Sequence, residues 1–305
     1  MSKILIFGAS GFIGKALTLK LATEHKIVAF SNNPANELHN VKNIQTVIGS
    51  FTEISDFTEL LSGIDCVVHL ISTTAPSDNT KHIPDEIVNN IVPTVRLLED
   101  MVSCGVKRII FASSAGAIYG ETGTLVNNIE SPPNPYCSYG VQKAAIEMYL
   151  KFYGVRYGLD YRIMRISNPY GVGQNPEKMQ GLIPILVRRL IDNKEISVFG
   201  DGKNMRDYIF LPELIEGICS VLKYKGTQRI FNLGFGTYYS IYEVIKMIEE
   251  VGNKRFVAIN TLNSRFCDVK QSYVDMNQCH LELNWFPKIG LKEGIALTLE
   301  AFCER

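Results

Sequence analysis

The stretch Lys3–Gly14, KILIFGASGFIG, decides the fold. Lys3 to Phe7 is an apolar run that stops at Gly8, and from Phe12 to Thr23 the apolar residues recur at helical spacing. A continuous apolar run, rather than an alternating one, is the pattern of a strand covered on both faces. Gly8, Gly11 and Gly14 separate strand from helix. Glycine permits the tight turn, the close approach of backbone to a diphosphate, and close packing of helix on strand. Free N–H groups at the helix start then face the phosphates. Such a motif is weak evidence alone. At the first strand of a βαβ series it predicts dinucleotide binding.

Outward from this turn the series continues. Ile27 to Phe30 reads as a second strand, NIQTVIGS as a third and DCVVHLIS as a fourth. Glu86 to Cys104 reads as a long helix, followed by the strand RIIFASS. A proline loop, SPPNP, precedes a helix from Ser138 to Tyr157 and the strand DYRIMRIS. Strands separated by helices imply βαβ units and a parallel sheet. After Asn168 the polar loop NPYGVGQNPEKMQG changes the character, and helices and short strands mix irregularly. The expected division is therefore a dinucleotide-binding domain at 1–167 and a smaller substrate lobe at 168–305, with room for strands returning to the first sheet.

Composition narrows the partners. The chain has 305 residues, 46% of them hydrophobic and 20% charged, so it can bury a large core in two lobes. The formal net charge is zero, which predicts neither a nucleic-acid partner nor a membrane surface. No apolar run reaches bilayer length, and a start that leads directly into a glycine motif is not expected to be a signal peptide. The seven cysteines are scattered, odd in number and without CxxC spacing, which suits a reducing cytoplasm. The five histidines are isolated, so no metal site is expected, and His69 is read as a strand residue.

At the end of the second strand an acid is expected to hold the adenosine ribose. The sequence there is IVAFSNNP, which puts Ser31 or Asn32 in that place. An acid would repel a 2′-phosphate and an arginine would attract it. Neither stands there, so NAD and NADP both remain open.

Further along, NPYCSYGVQKAAIE puts Tyr139 and Lys143 four residues apart, on one helix face. A free tyrosine has a pKa of about 10, too high for a base near neutrality. A nearby ammonium and the positive nicotinamide ring favour the phenolate and are expected to lower that value. With the glycine turn, SSAGAIYG and YGVQK in order, the chain resembles the extended short-chain dehydrogenase/reductase family. More narrowly, it resembles the nucleotide-sugar epimerase/dehydratase branch, of the UDP-glucose 4-epimerase kind. NNIVPTVRLLE, ISVFGDGKNMRDYIFLPEL, IFNLGFGTYYSIYEVI, RFCDV, VDMNQ and ELNWFPKIGLKEGI extend the likeness over nearly the whole length.

The resemblance implies a doubly wound (Rossmann) α/β domain with a smaller C-terminal lobe. The site is expected between them, at the C-terminal ends of the strands. It implies Tyr139 as acid/base, Lys143 on the nicotinamide ribose, and a hydroxyl after the fifth strand that meets the reacting sugar oxygen. Counting back four residues from Tyr119 reaches Ala115, which cannot serve; Ser114 is the candidate, and Ser113 is expected in strand-end hydrogen bonding. Cofactor contacts are implied at Gly8, Ser10, Gly11, Phe12, Ile13, Gly14, Ser31, Asn32, Leu70, Ile71, Ser72 and Asn90, besides Tyr139 and Lys143. Arg206 and Arg265 resemble diphosphate clamps, Asn168 the asparagine at the lobe junction that contacts the substrate diphosphate, and Tyr119 a residue lining the sugar pocket, with core packing as the second reading.

The implied reaction is NAD(P)-dependent hydride transfer at C4 of a nucleotide-diphosphate sugar by a cytoplasmic homodimer, with 4-epimerisation first. A reductase of a nucleotide 4-keto-6-deoxysugar is the alternative, and a non-catalytic nucleotide-sensing regulator a distant third. Dehydratases of the branch carry an Asp-Glu pair where this chain has Gly116 and Ala117. Dehydration therefore lacks its acid and base.

Overall fold

A computed structural model describes residues 1–76, 82–121, 126–177, 181–264 and 269–304. Contacts divide the chain into two compact units. The first comprises Met1–Ser114, Cys137–Arg165 and Val221–Phe231; the second comprises Ala115–Tyr136, Ile166–Ser220 and Asn232–Arg305. The chain thus passes between the units several times, where the sequence suggested one boundary at 167/168. The edge of a sheet offers unpaired backbone groups to any strand that reaches it, near or far in sequence.

The strands in chain order are β1 (Lys3–Phe7), β2 (Lys26–Ser31), β3 (Ile44–Ile48), β4 (Cys66–His69), β5 (Arg108–Ser114), β6 (Asp160–Ile166), β7 (Asn168–Tyr170), β8 (Ile196–Phe199), β9 (Met205–Phe210), β10 (Ile230–Leu233), β11 (Tyr238–Ser240), β12 (Ile259–Leu262) and β13 (Gln271–Ser272). The first unit is built on a seven-stranded sheet of order β10-β6-β5-β4-β1-β2-β3. β1 runs parallel to both β2 and β4, β2 to β3, and β4 to β5. The order reverses beside β1, which makes the C-terminal ends of β1 and β4 the switch point where such sheets take their ligands.

Register brings Phe30, Phe7, His69 and Phe111 side by side across four strands. Their rings meet edge to face, 5.2 Å between Phe7 and Phe30 and 5.5 Å between His69 and Phe111. Alternate residues of each strand, such as Leu5 and Phe7 or Ile109 and Phe111, join one core with Phe57, Leu97, Met101, Ile146 and Leu150. The longer helices of this unit are α1 (Phe12–Leu21), α2 (Val92–Ser103) and α3 (Ser138–Tyr157), and α2 and α3 pack on each other.

The helix expected over Glu86–Cys104 is wound in pieces. A short turn at Ile83–Glu86 passes into a π-helical turn at Ile87–Ile91 before α2 begins. Pro93, in the first turn of α2, has no N–H and its ring collides with the carbonyl four residues back. Widening to π geometry is one way to accommodate it.

The second unit contains α4 (Leu182–Ile191), most of α5 (Leu211–Lys223), α6 (Ile241–Gly252) and α7 (Leu291–Cys303). α4, α6 and α7 pack on one another around Leu186, Val187, Val244, Ile248 and Ile295. β9 pairs with β11, β13 and β7, and β8 with β12. Among the described residues no helix is long and apolar enough to cross a membrane.

Candidate active site

The turn between β1 and α1 is shaped by what its glycines omit. Gly8 has φ +88°, and a Cβ there would lie 3.2 Å from Ile71 Cγ1. A Cβ on Gly14 would lie 2.0 Å from the Gly8 carbonyl oxygen, so helix and strand approach only because position 14 is bare. Gly8 and Ala9 both donate to Phe30 O, at 2.9 and 3.1 Å, which ties the turn to β2. No side chain caps Gly11 at the start of α1. Ser10, Phe12 and Ile13 therefore stand at a helix start whose N–H groups are available to an anion.

Ser31 is buried, and its hydroxyl donates to Asn33 O at 2.8 Å. Asn32 is exposed and accepts from the Asn33 amide at 3.1 Å. The end of β2 thus presents neutral amides. The nearest acid described after it, Glu37, is held by Lys15 of α1 at 2.9 Å.

Tyr139 and Lys143 do share a face, at the N-terminal end of α3. Cys137, in extended conformation, ends the proline loop and starts this helix. The Lys143 ammonium donates to Ala112 O at 2.7 Å and lies 4.6 Å from the Phe111 ring centre and 5.6 Å from that of Tyr139. The Ser114 hydroxyl is close enough to the Tyr139 phenol to favour its phenolate. Ser113, one residue earlier, donates instead to Glu147 Oε1 at 2.6 Å. Ser113 shares the α3-covered face of β5 with Phe111, whereas Ser114 leaves the end of the strand toward Tyr139.

Burial dominates the titration of the pair. It pushes the Tyr139 phenol up to about 12, against the Ser114 hydroxyl, which favours the phenolate. Burial likewise pushes Lys143 down to about 7, and the Glu147 carboxylate opposes this. The expected lowering of Tyr139 by Lys143 is therefore not what the chain achieves by itself. Desolvation of the phenolate outweighs the Ser114 hydroxyl, and the Lys143 ammonium is bonded to a carbonyl and itself depressed.

Phe51, His69, Ile71, Ser72, Asn90, Gln142 and Ile146 line a pocket with Tyr139 and Lys143. Thr94 Oγ1 donates to Asn90 O at 2.6 Å, so it accepts the Nε2–H of His69 at 3.0 Å. His69 Nδ1 is then the bare nitrogen, and it has no hydrogen-bond partner. Burial, then the charge of Lys143, pushes this imidazole down to about 3, so it is neutral.

Leu70 and Ile71 follow β4, and Ile71 rests against Gly8. Ser72 donates to Thr74 O at 3.0 Å. Asn90 is committed within the protein. Its oxygen accepts Thr73 N at 2.8 Å, and its amide donates to Thr73 Oγ1 and Glu86 O.

In the second unit, Asn168 opens β7 and donates to Asp207 O at 2.7 Å. Arg206 stands on β9 and donates to Met205 O at 3.0 Å. Tyr119 is wholly buried and donates to Asn232 Oδ1 at 2.7 Å, so its hydroxyl serves the core. Arg265 lies outside the described residues.

The profile of the NAD dependent epimerase/dehydratase family matches residues 4–234. The chain belongs to this family. The dTDP-4-dehydro-6-deoxyglucose reductase of Escherichia coli is 32% identical over 96% of this chain and 95% of its own. The UDP-glucose 4-epimerase of Mycolicibacterium smegmatis is 30% identical over 98% of both. The crystal structure of UDP-glucose 4-epimerase from Thermotoga maritima, with UDP-glucose, superposes with a TM-score of 0.92 at 29% identity, covering 99% of each chain.

As a member of the epimerase/dehydratase family the chain is an NAD(P)-dependent enzyme. The residues fit that cofactor, since the bare Gly8 and Gly14 and the uncapped start of α1 leave backbone where a diphosphate needs it. Sequence reasoning missed the polar groups behind the pocket. Glu86 accepts from Ser138 and, at 2.7 Å, from Gln142; Glu147 accepts from Arg165 at 2.7 Å. Spacing carried a signal for one of them, because Glu147 continues the Tyr139–Lys143 face at the same interval of four.

Proposed function

We propose that this enzyme interconverts the two configurations at C4 of a nucleotide-diphosphate hexose. The observation that carries the reading is the Ser114–Tyr139–Lys143 cluster, in one unit with a glycine turn open to a dinucleotide. In this reading the first unit takes the dinucleotide and the second the nucleotide sugar, whose diphosphate Asn168, Arg206 and Arg265 hold. NAD supplies hydride acceptance and return. Tyr139 takes the proton of the sugar 4-hydroxyl and later gives it back. Ser114 orients the phenol and shares the same oxygen. Lys143 supplies positive charge beneath the phenol and a donor for the nicotinamide ribose.

A second reading is a reductase of a nucleotide 4-keto-6-deoxysugar, using the same residues and releasing its cofactor each turn. The neutral Ser31–Asn33 end of β2 favours it, since no carboxylate there opposes the 2′-phosphate of NADPH. The Escherichia coli reductase among the relatives points the same way. Denaturing the purified enzyme and identifying the released nucleotide separates the two. Stoichiometric NAD supports the epimerase; an empty protein that then binds NADPH rejects it in favour of the reductase.

The enzyme is proposed to be cytoplasmic, in keeping with the free cysteines Cys66, Cys104, Cys137, Cys219, Cys279 and Cys303. It is also proposed to be a homodimer. Val141, Met148, Phe152 and Val155 stand exposed on α3, Met148 at 73% and Val155 at 83%. An apolar stripe of that kind on a helix is usual where a partner helix covers it.

A further inference from the structure

The face of α3 that carries Tyr139 and Lys143 does not end there. Glu147 follows Lys143 at the next turn and is buried with 6% exposure. A buried carboxylate needs partners, and Glu147 has three groups committed to it. Ser113 Oγ donates to Oε1 at 2.6 Å, Arg165 Nη2 to Oε2 at 2.7 Å, and Arg165 Nε to both oxygens at 3.2 and 3.3 Å. Arg165, on β6, is itself 3% exposed. Neither Glu147 nor Arg165 lines the pocket, so neither is placed to touch the reactants.

The charged and titratable groups around Lys143 are few. Tyr139 and Glu147 come from its own helix, with Cys137 at the helix start. His69 on β4 is neutral. β5 offers the Ala112 carbonyl and the two serines, and Arg165 on β6 lies beyond Glu147. Glu86 lies by Gln142, bound to Ser138 and Gln142. Glu147 stands one turn from Lys143 on the same helix face and both are buried, so its negative charge favours the ammonium and opposes its desolvation.

We propose that Glu147 is a positioning residue, a fixed counter-charge that keeps Lys143 an ammonium beneath Tyr139, and that Ser113 and Arg165 lock its carboxylate in place. Arg165 has a second effect of opposite sign. It holds the carboxylate, but its own positive charge weakens the field that reaches Lys143. The network is therefore a tuned pair, and the two halves should move Lys143 in opposite directions. This inference rests on the reading of Tyr139 and Lys143 as the acid/base pair, so its test reads Lys143 directly rather than turnover.

The test is an NMR titration of lysine labelled with carbon-13 at Cε, with the Lys143 signal assigned by its loss in Lys143→Met. Wild-type Lys143 is expected to titrate near pH 7. Glu147→Gln, which keeps the shape and removes the charge, is expected to lower that midpoint by about one pH unit or more, a tenfold change in the equilibrium. Arg165→Gln is expected to raise it, and Glu147→Asp to restore most of the wild-type value. A residue that only packs would produce no such pair of opposite shifts. Should either single variant fail to fold, Glu147→Gln/Arg165→Gln leaves two neutral amides, and its Lys143 should still titrate below wild type.

A Lys143 midpoint unmoved in the Gln variants overturns the proposal. So does a wild-type Lys143 already deprotonated below pH 6. The acid/base reading fails on different evidence, namely full turnover by Tyr139→Phe.

Discussion

Ser113 and Ser114 are adjacent, chemically identical, and assigned to different work by one peptide unit of strand. Ser113 is sealed under α3 against Glu147, and Ser114 emerges at the strand end against Tyr139. Their substitutions should separate accordingly. Ser114→Ala is expected to lower kcat about 10²–10³-fold, the range for loss of one preorganised donor, with the thermal transition unchanged. Ser113→Ala leaves a buried carboxylate one donor short and should lose about 1–3 kcal/mol in urea unfolding. Equal loss of kcat and of stability in both variants would contradict this division.

Lys143 makes a second prediction at this scale. Its folded value of about 7 lies below the ordinary lysine value of 10.5. Below pH 7 it is protonated folded and unfolded alike, and the full desolvation penalty applies. Between 7 and 10.5 the unfolded chain binds more protons, so this group's contribution to stability rises with pH across that window. Urea unfolding of the wild type minus that of Lys143→Met should therefore move in favour of the wild type from pH 7 to pH 9. A flat difference would mean that burial does not depress this lysine.

Among the elements, the β1–α1 turn is the one built on close approach. Gly14→Ala would place a methyl 2.0 Å from the Gly8 carbonyl oxygen, a backbone atom with no side-chain freedom to yield. The expected result is a loss of about 1–3 kcal/mol, from overpacking, together with loss of bound nucleotide. Isothermal titration with NAD and with NADPH, alongside urea unfolding, checks both parts. The same element shows why a glycine motif reads well from sequence. Its function is a local backbone conformation, and the residues that permit it are consecutive.

The segment before α2 behaved otherwise. The sequence predicts one helix over Glu86–Cys104, whereas the chain there winds through a short turn and a π turn into α2, with Pro93 in the first turn of α2. Asn90, expected at the cofactor, sits in that π turn and holds Thr73 of the loop after β4. Its partner lies on another element, so nothing in the local pattern could announce it.

For the whole molecule, the exposed stripe on α3 sets the prediction of assembly. Phe152→Asp together with Met148→Asp should convert a dimer to a monomer by light scattering, while far-ultraviolet circular dichroism stays the same. A wild-type protein that is already monomeric at micromolar concentration would remove the dimer from the proposed function.

The sequence by itself determined the parallel α/β architecture, the dinucleotide turn, the Tyr139–Lys143 face and the family resemblance. The first three rest on periodicity and spacing, where strand and helix geometry convert sequence distance directly into position, and the resemblance rests on motifs met in order along the chain. Tertiary structure alone decided that Ser113 is sealed against Glu147, that Tyr119 is a core residue bonded to Asn232, and that Arg165 pairs with Glu147. It also decided that segments from three parts of the chain compose the first unit. These depend on which strand ends lie beside which helix, and on how far burial outweighs charge. Both are consequences of packing between residues distant in the chain, and no local pattern carries them.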